Sequence, residues 1–157
     1  MAIIKFTLNK KKVEVDLDPS MRLLDALRVH FKLTATKEGC GEGSCGACVV
    51  LMDGKSINSC LLPMANVAGH SIITLEEFKK TPQFKILEMC FEDEGGSQCG
   101  FCTPGMIIAS HSLLSSNAHP SEEEVREALS GNLCRCTGYQ SIVNAVLRAA
   151  KEGEGLW

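Results

Sequence analysis

Eight of the nine cysteines in this sequence fall into two spaced sets, and thiols grouped in this way are ligands for soft metal centres. Cys40, Cys45 and Cys48 form a C-x4-C-x2-C run, with Cys60 a short way beyond. Cys99 and Cys102 make a C-x2-C pair, and Cys134 and Cys136 a C-x-C pair. Little else in the chain can do chemistry. There is no Ser–His–Asp set, no pair of catalytic carboxylates and no phosphate-cradling glycine loop, so no substrate site is expected here. A formal net charge of −3 gives no footing for nucleic acid, and no apolar run is long enough to span a bilayer. The N-terminus alternates where a secretory leader would be charged and then apolar, which points to the cytoplasm. In that reducing compartment clustered cysteines are read as ligands before disulphides.

The first set has the plant-type spacing of a 2Fe–2S cluster. Four thiolates must converge on two adjacent irons, so the loop has to wrap an anionic core with backbone N–H groups pointing inward. Gly41, Gly43 and Gly46 suit such a loop, because glycine takes positive φ cheaply and allows close backbone approach. Cys60 would close the set from the end of a strand. The rival is structural zinc, which usually pairs its ligands as C-x2-4-C twice over. Three cysteines crowded on one loop with a fourth alone fit iron–sulphur better.

In the second set both pairs are expected at helix N-termini, where free N–H groups and the helix dipole favour anions. Thr103 is a candidate cap with Pro104 as the first helical residue, and Thr137 is the counterpart for a last helix. Cys134 and Cys136, two apart in an extended segment, point the same way and could share one iron. Zinc competes more strongly at this set. The first set tips the balance, because one chain carrying both suggests a two-cluster wire.

The remaining candidates have plainer readings. Cys90 falls on the apolar face of a helix and reads as a buried structural thiol. His30, His70, His111 and His119 form no spaced cluster. Glu122–Glu124 suit a helix start, and the run Lys10–Lys12 reads as a solvated hairpin tip. Arg135 is either exposed or an electrostatic neighbour of its cluster.

The elements that must position these thiols divide the chain in two. Ile4, Phe6 and Leu8, then Val13, Val15 and Leu17, alternate as a hairpin about Asn9–Lys10. Ser20 is the expected cap of a helix carrying Leu23, Leu24, Leu27 and Phe31. Val49–Met52 and Ser56–Cys60 flank an Asp53–Gly54 turn, and Ser71–Leu75 is one more strand. Beyond residue 76 the pattern turns helical: Phe84, Leu87, Cys90 and Phe91 share a face, and Met106–Leu114 is a second run. Ser121 opens a third with a capping box that Gly131 is placed to end, and a last helix runs from near Tyr139 to Lys151. This predicts an α+β chain with domains at 1–76 and 77–157.

The segments Cys40-Gly-Glu-Gly-Ser-Cys-Gly-Ala-Cys48, Gln98-Cys-Gly-Phe-Cys-Thr-Pro-Gly105 and Asn132-Leu-Cys-Arg-Cys-Thr-Gly-Tyr139 resemble the signatures of the iron–sulphur component of molybdenum hydroxylases. That is the family of xanthine dehydrogenase, aldehyde oxidoreductase and carbon monoxide dehydrogenase. The resemblance spans nearly the whole chain, with all eight ligand positions filled. It implies a β-grasp ferredoxin-like domain followed by a four-helix-bundle domain, each holding one 2Fe–2S cluster. It further implies a molybdenum–pterin cofactor on a large partner subunit beside the second cluster, and a flavin subunit, with FAD, beyond the first. By the same resemblance, Gln98 matches a glutamine that touches the pterin, and Cys136 the ligand nearest to it. With a chain running from Met1 to Trp157, these partners are expected to be separate polypeptides. Two other readings stand beside this one: a free-standing two-cluster ferredoxin, against which the helical half argues, and a zinc-stapled interaction module.

Overall fold

A computed structural model describes residues 1–157. Strands β1 (Ala2–Leu8) and β2 (Lys11–Leu17) form the predicted antiparallel hairpin. Its two-residue turn has φ of 50° at Asn9 and 67° at Lys10, the left-handed pair that matches strand twist. β3 (Val49–Met52) and β4 (Lys55–Asn58) repeat the device at Asp53 and Gly54. β5 (Ser71–Ile73) lies between the hairpins, parallel to β1 and antiparallel to β3. The sheet order is therefore β2-β1-β5-β3-β4.

Between the hairpins, a single α-turn, α1 (Leu23–Asp25), runs directly into a π-helical stretch, Ala26–His30. Leu23, Ala26 and Leu27 press against Ile4, Phe6, Leu8, Val50 and Ile72 to make one core. Ser20 does not cap this segment, because Asp18 captures both its backbone N–H and its hydroxyl. Arg22 occupies the cap position and makes no side-chain capping bond.

The rest of the chain is helical: a short α2 (Leu75–Phe78), then α3 (Pro82–Asp93), α4 (Thr103–Ser116), α5 (Glu122–Ala128) and α6 (Gln140–Glu152). Thr81 caps α3 by accepting from the Phe84 N–H, with Pro82 in the first turn. At α5 the capping box between Ser121 and Glu124 is complete in both directions. Gly131 does not end this helix, which stops at Ala128, and the Ser130 hydroxyl then donates to the Glu127 carbonyl. Leu87, Phe91, Met106, Ile108, Leu114, Ile142 and Val146 fill the helical core, together with a fully buried Cys90.

The two cores meet at β3. Successive side chains on a strand point to opposite faces. Val50 thus enters the core beneath α1, while Leu51 enters the helical core, with Val49 and Ile73 packed beside it. No helix is long and apolar enough to cross a membrane.

Candidate metal centres

The first cysteine loop runs from Thr36 to Cys48 and is pinned at its mouth, where Lys37 N–H donates to the Ala47 carbonyl. Arg28 holds the approach by donating to the carbonyls of Thr34 and Thr36. Inside the loop Gly41, Gly43 and Gly46 have φ of 70°, 80° and 72°, the conformation for which glycine was expected. The reversals turn backbone donors inward, so that the N–H groups of Glu42 and Ser44 reach the Cys40 sulphur at 3.4 and 3.3 Å. Ser44 and these N–H groups hold the Cys40 thiol down at about 6. Cys60 lies just beyond β4, on the buried side of the loop. Leu24 seals it there together with Cys48. Burial, and then the adjacent Cys48, push the Cys60 thiol up to about 11. Cys40 lies against Cys45, and Cys48 against Cys60.

The second set gathers where α4 and α6 begin. Cys102 is the N-cap residue of α4, and Cys134 and Cys136 lie in the turn ahead of α6. Thr103 does not cap α4. It is already helical, and its hydroxyl pairs with that of Ser97 at 2.9 Å. Thr137 has a different part from the expected one: its hydroxyl donates to the Cys134 sulphur at 3.1 Å, and its oxygen accepts from Tyr139 N–H at 3.2 Å. The Tyr139 hydroxyl accepts from Cys134 N–H at 2.9 Å. Burial pushes the Cys134 thiol up, but the bonds from Thr137 and from neighbouring N–H groups outweigh it and leave the thiol below its ordinary value. Cys102 is half-buried, and its desolvation, with Cys134 beside it, pushes its thiol up to about 12. Cys99 and Cys136 are exposed and lie against each other. Cys134 and Cys136 therefore do not pair. Each faces a cysteine of the C-x2-C motif, because the chain bends between them and is not an extended strand.

No three His, Cys, Asp or Glu side chains surround one ion-sized point. The thiols instead meet two by two, within each set, and this donor arrangement fits a centre in which each of two irons takes a pair of thiolates. The chemistry of the donors agrees: Cys60 and Cys102 would be protonated as free thiols at neutral pH, so their ionised forms require a cationic partner.

The two sets share a wall. Leu133 N–H donates to the Cys45 carbonyl at 2.8 Å, and the buried Asn132 side chain donates to the Gly46 carbonyl at 3.2 Å. A Cβ on Gly105 of α4 would lie 2.2 Å from the Gly46 oxygen, and one on Gly46 would lie 2.5 Å from Asn132 Nδ2. Nothing local in the sequence reveals this junction, since Asn132 acts across 86 positions. Three of the four histidines are engaged elsewhere: His70 with Asp53, His30 against Phe31, and His111 between Phe78 and Trp157. Gln98 and Arg135 are exposed.

Residues 6–70 match the model of a 2Fe-2S iron-sulfur cluster binding domain, and residues 74–147 that of a [2Fe-2S] binding domain. Two such domains in one chain define an electron-transfer protein. The chain belongs to the iron–sulphur subunits of the molybdenum hydroxylase family. It is 46% identical over 154 residues to one chain of a probable xanthine dehydrogenase of Bacillus subtilis, covering 96% of this chain and 87% of that one. Quinoline 2-oxidoreductase from Pseudomonas putida 86 matches in structure with a TM-score of 0.89 at 42% identity, covering 96% of this chain and 94% of that one. Aldehyde oxidoreductase from Desulfovibrio gigas matches with a TM-score of 0.91 at 39% identity, covering 100% of this chain but only 18% of its own longer chain. The same fold thus occurs both as a small subunit and as a segment of a larger polypeptide, and a large molybdenum–pterin partner follows from membership.

Proposed function

We propose that this chain relays electrons from a molybdenum–pterin subunit, through its helical half, to its sheet half, and from there to a flavin subunit or an external acceptor. In this reading Cys99, Cys102, Cys134 and Cys136 ligate the cluster that receives electrons. Cys40, Cys45, Cys48 and Cys60 ligate the one that passes them on. When bound, each 2Fe–2S cluster supplies a centre that takes up and returns one electron. The chain's own residues hold the two centres in one frame and carry the contact between them.

The observation that carries the reading is the bond from Leu133 N–H to the Cys45 carbonyl, 2.8 Å long. Leu133 precedes Cys134, so one hydrogen bond joins a candidate ligand of the first set to the neighbour of a candidate ligand of the second. A free-standing ferredoxin would need no second half, and a single zinc ion would draw its four thiols around one point, which neither set does. We set the domain limits at 1–76 and 77–157, inside α2 and close to where one core gives way to the other, and read α3 to α6 as the four-helix bundle. The exposure of Gln98, Cys99 and Cys136 at one end of that bundle suits contact with the pterin, a role that rests on family resemblance. The enzymes matched are named for xanthine, quinoline and aldehyde substrates, and an N-heteroaromatic or aldehyde is accordingly the substrate class we assign to the holoenzyme.

The test uses the purified complex. Cys136→Ser should retain partner subunits but lose one cluster's iron and sulphide, and with it substrate-driven reduction of the acceptor. Undiminished reduction in that variant, with its second cluster absent, would sink the relay.

A further inference from the structure

We infer that Thr137 sets the reduction potential of the second cluster, and so determines on which of the two centres a resident electron rests. The inference depends on the ligand set proposed above, but iron and sulphide content test that set separately.

A hydroxyl has one proton to give and lone pairs to receive. At Thr137 the receiving side is taken, because Tyr139 N–H donates to Oγ1 at 3.2 Å. The proton is therefore aimed at the Cys134 sulphur, 3.1 Å away. The backbone works to keep it so. Gly138 and Tyr139 are consecutive residues with φ of 64° and 70°, and for Tyr139 the left-handed region is a strained choice. That conformation brings the Tyr139 N–H onto Thr137 and the Tyr139 hydroxyl onto Cys134 N–H at 2.9 Å. The strained turn thus fixes the hydroxyl's direction and the ligand's backbone together.

Reduction of a bound cluster would add one electron, and the added negative charge would be shared by its sulphurs. A donor already aimed at a ligand sulphur stabilises the reduced form more than the oxidised one, and raises the potential. The electron enters from the molybdenum–pterin partner and leaves toward the first cluster, so the bond favours acceptance and opposes departure. In the first set the two N–H donors to Cys40 belong to the backbone, and only proline, which would also disturb the loop, removes them. At the second set the donor is a side chain, so the potential there can be changed by mutation.

The experiment is an EPR-monitored redox titration of the holoenzyme, reading the two cluster signals separately. Thr137→Val keeps the shape and removes the proton. At the potential where the native second cluster is half reduced, its reduced-to-oxidised ratio should fall about tenfold, a drop of ~59 mV for a one-electron couple. The first cluster should not move, and Thr137→Ser should titrate like the native protein. An unshifted second cluster in Thr137→Val with full iron content overturns the inference, as does a Ser variant shifted as far as the Val variant. Should the Val variant not load iron, pulsed EPR on the native complex before and after exchange into D2O reads the same bond. A strongly coupled exchangeable proton that disappears in Thr137→Ala but persists in Thr137→Ser supports the assignment, and no such proton in the native complex overturns it.

Discussion

Gly105→Ala probes the wall between the two cysteine sets, and opposing effects must be weighed to predict its outcome. The added methyl would meet the Gly46 oxygen at 2.2 Å and the Gly46 carbonyl carbon at 3.2 Å. Both atoms are backbone, so α4 and the first cysteine loop must part by roughly 1 Å to restore ordinary contact, an overpacking strain of about 1–3 kcal/mol. The same displacement would stretch the 2.8 Å bond from Leu133 to Cys45 beyond hydrogen-bonding range. Losing it costs about 0.5–1.5 kcal/mol. Against this, alanine is favoured over glycine in a helix by about 1 kcal/mol. The strain wins, with a net loss of about 2 kcal/mol. For a chain of this size that lowers the melting temperature by roughly 4–8 °C. The control is Gly131→Ala, whose Cβ would meet nothing within 4 Å. Thermal unfolding of the loaded complex gives the first readout, and amide exchange at Leu133 the second, since its N–H should lose protection. Gly105→Ala melting within a degree or two of Gly131→Ala, with Leu133 still protected, would refute the claim that the sets are wedged together at Gly46.

Glu77 bridges Lys10 of the first hairpin and Lys80 beyond α2. Those lysines, Lys80 foremost, hold its carboxyl below the ordinary value. A depressed carboxyl stabilises the fold above its unfolded value near 4.5 and loses that effect as pH falls through the folded value. Glu77→Gln should therefore melt below the native protein at pH 7, and the gap should close below pH 4.5; a gap that stays constant across that range would show the ion pairs to be idle. Cys90 is fully buried, and burial pushes its thiol up to about 11. It should resist alkylation in the folded protein, and Cys90→Ala should cost about 1 kcal/mol while leaving the iron content intact. Reduced iron in that variant would make Cys90 a participant in cluster binding.

The sequence disclosed what rests on local rules. The hairpins at Asn9–Lys10 and Asp53–Gly54 were legible because alternation and turn chemistry agree there. The box at Ser121 was legible because both its partners are three residues apart. The expected cap at Ser20 failed because Asp18, two residues away, takes its hydroxyl, and that at Thr103 because the helix has already begun there, with Cys102 in the cap position. Gly131 sat in the right composition but one residue too late, since α5 stops at Ala128 with Leu129 as its C-cap. Grouping the thiols into two sets was within reach of spacing alone. Their pairing within the second set was not, because that depends on a bend at Arg135 and Cys136 that spacing does not encode. Nor was the wall at Gly46, which joins groups far apart in the chain.

The shared strand bears on how this protein comes into being. As β3 and β5 form, Leu51, Val49 and Ile73 lie on a face whose cover, in large part α4, has not yet been synthesised. Until Thr103–Ser116 emerges, the nascent sheet carries a bare apolar surface, the kind of surface through which partly made chains stick to one another. Residues 1–76 produced alone would keep that surface permanently and should self-associate. The halves are therefore not two ready-made modules joined by a tether: the first becomes soluble in its own right only when the second closes over it.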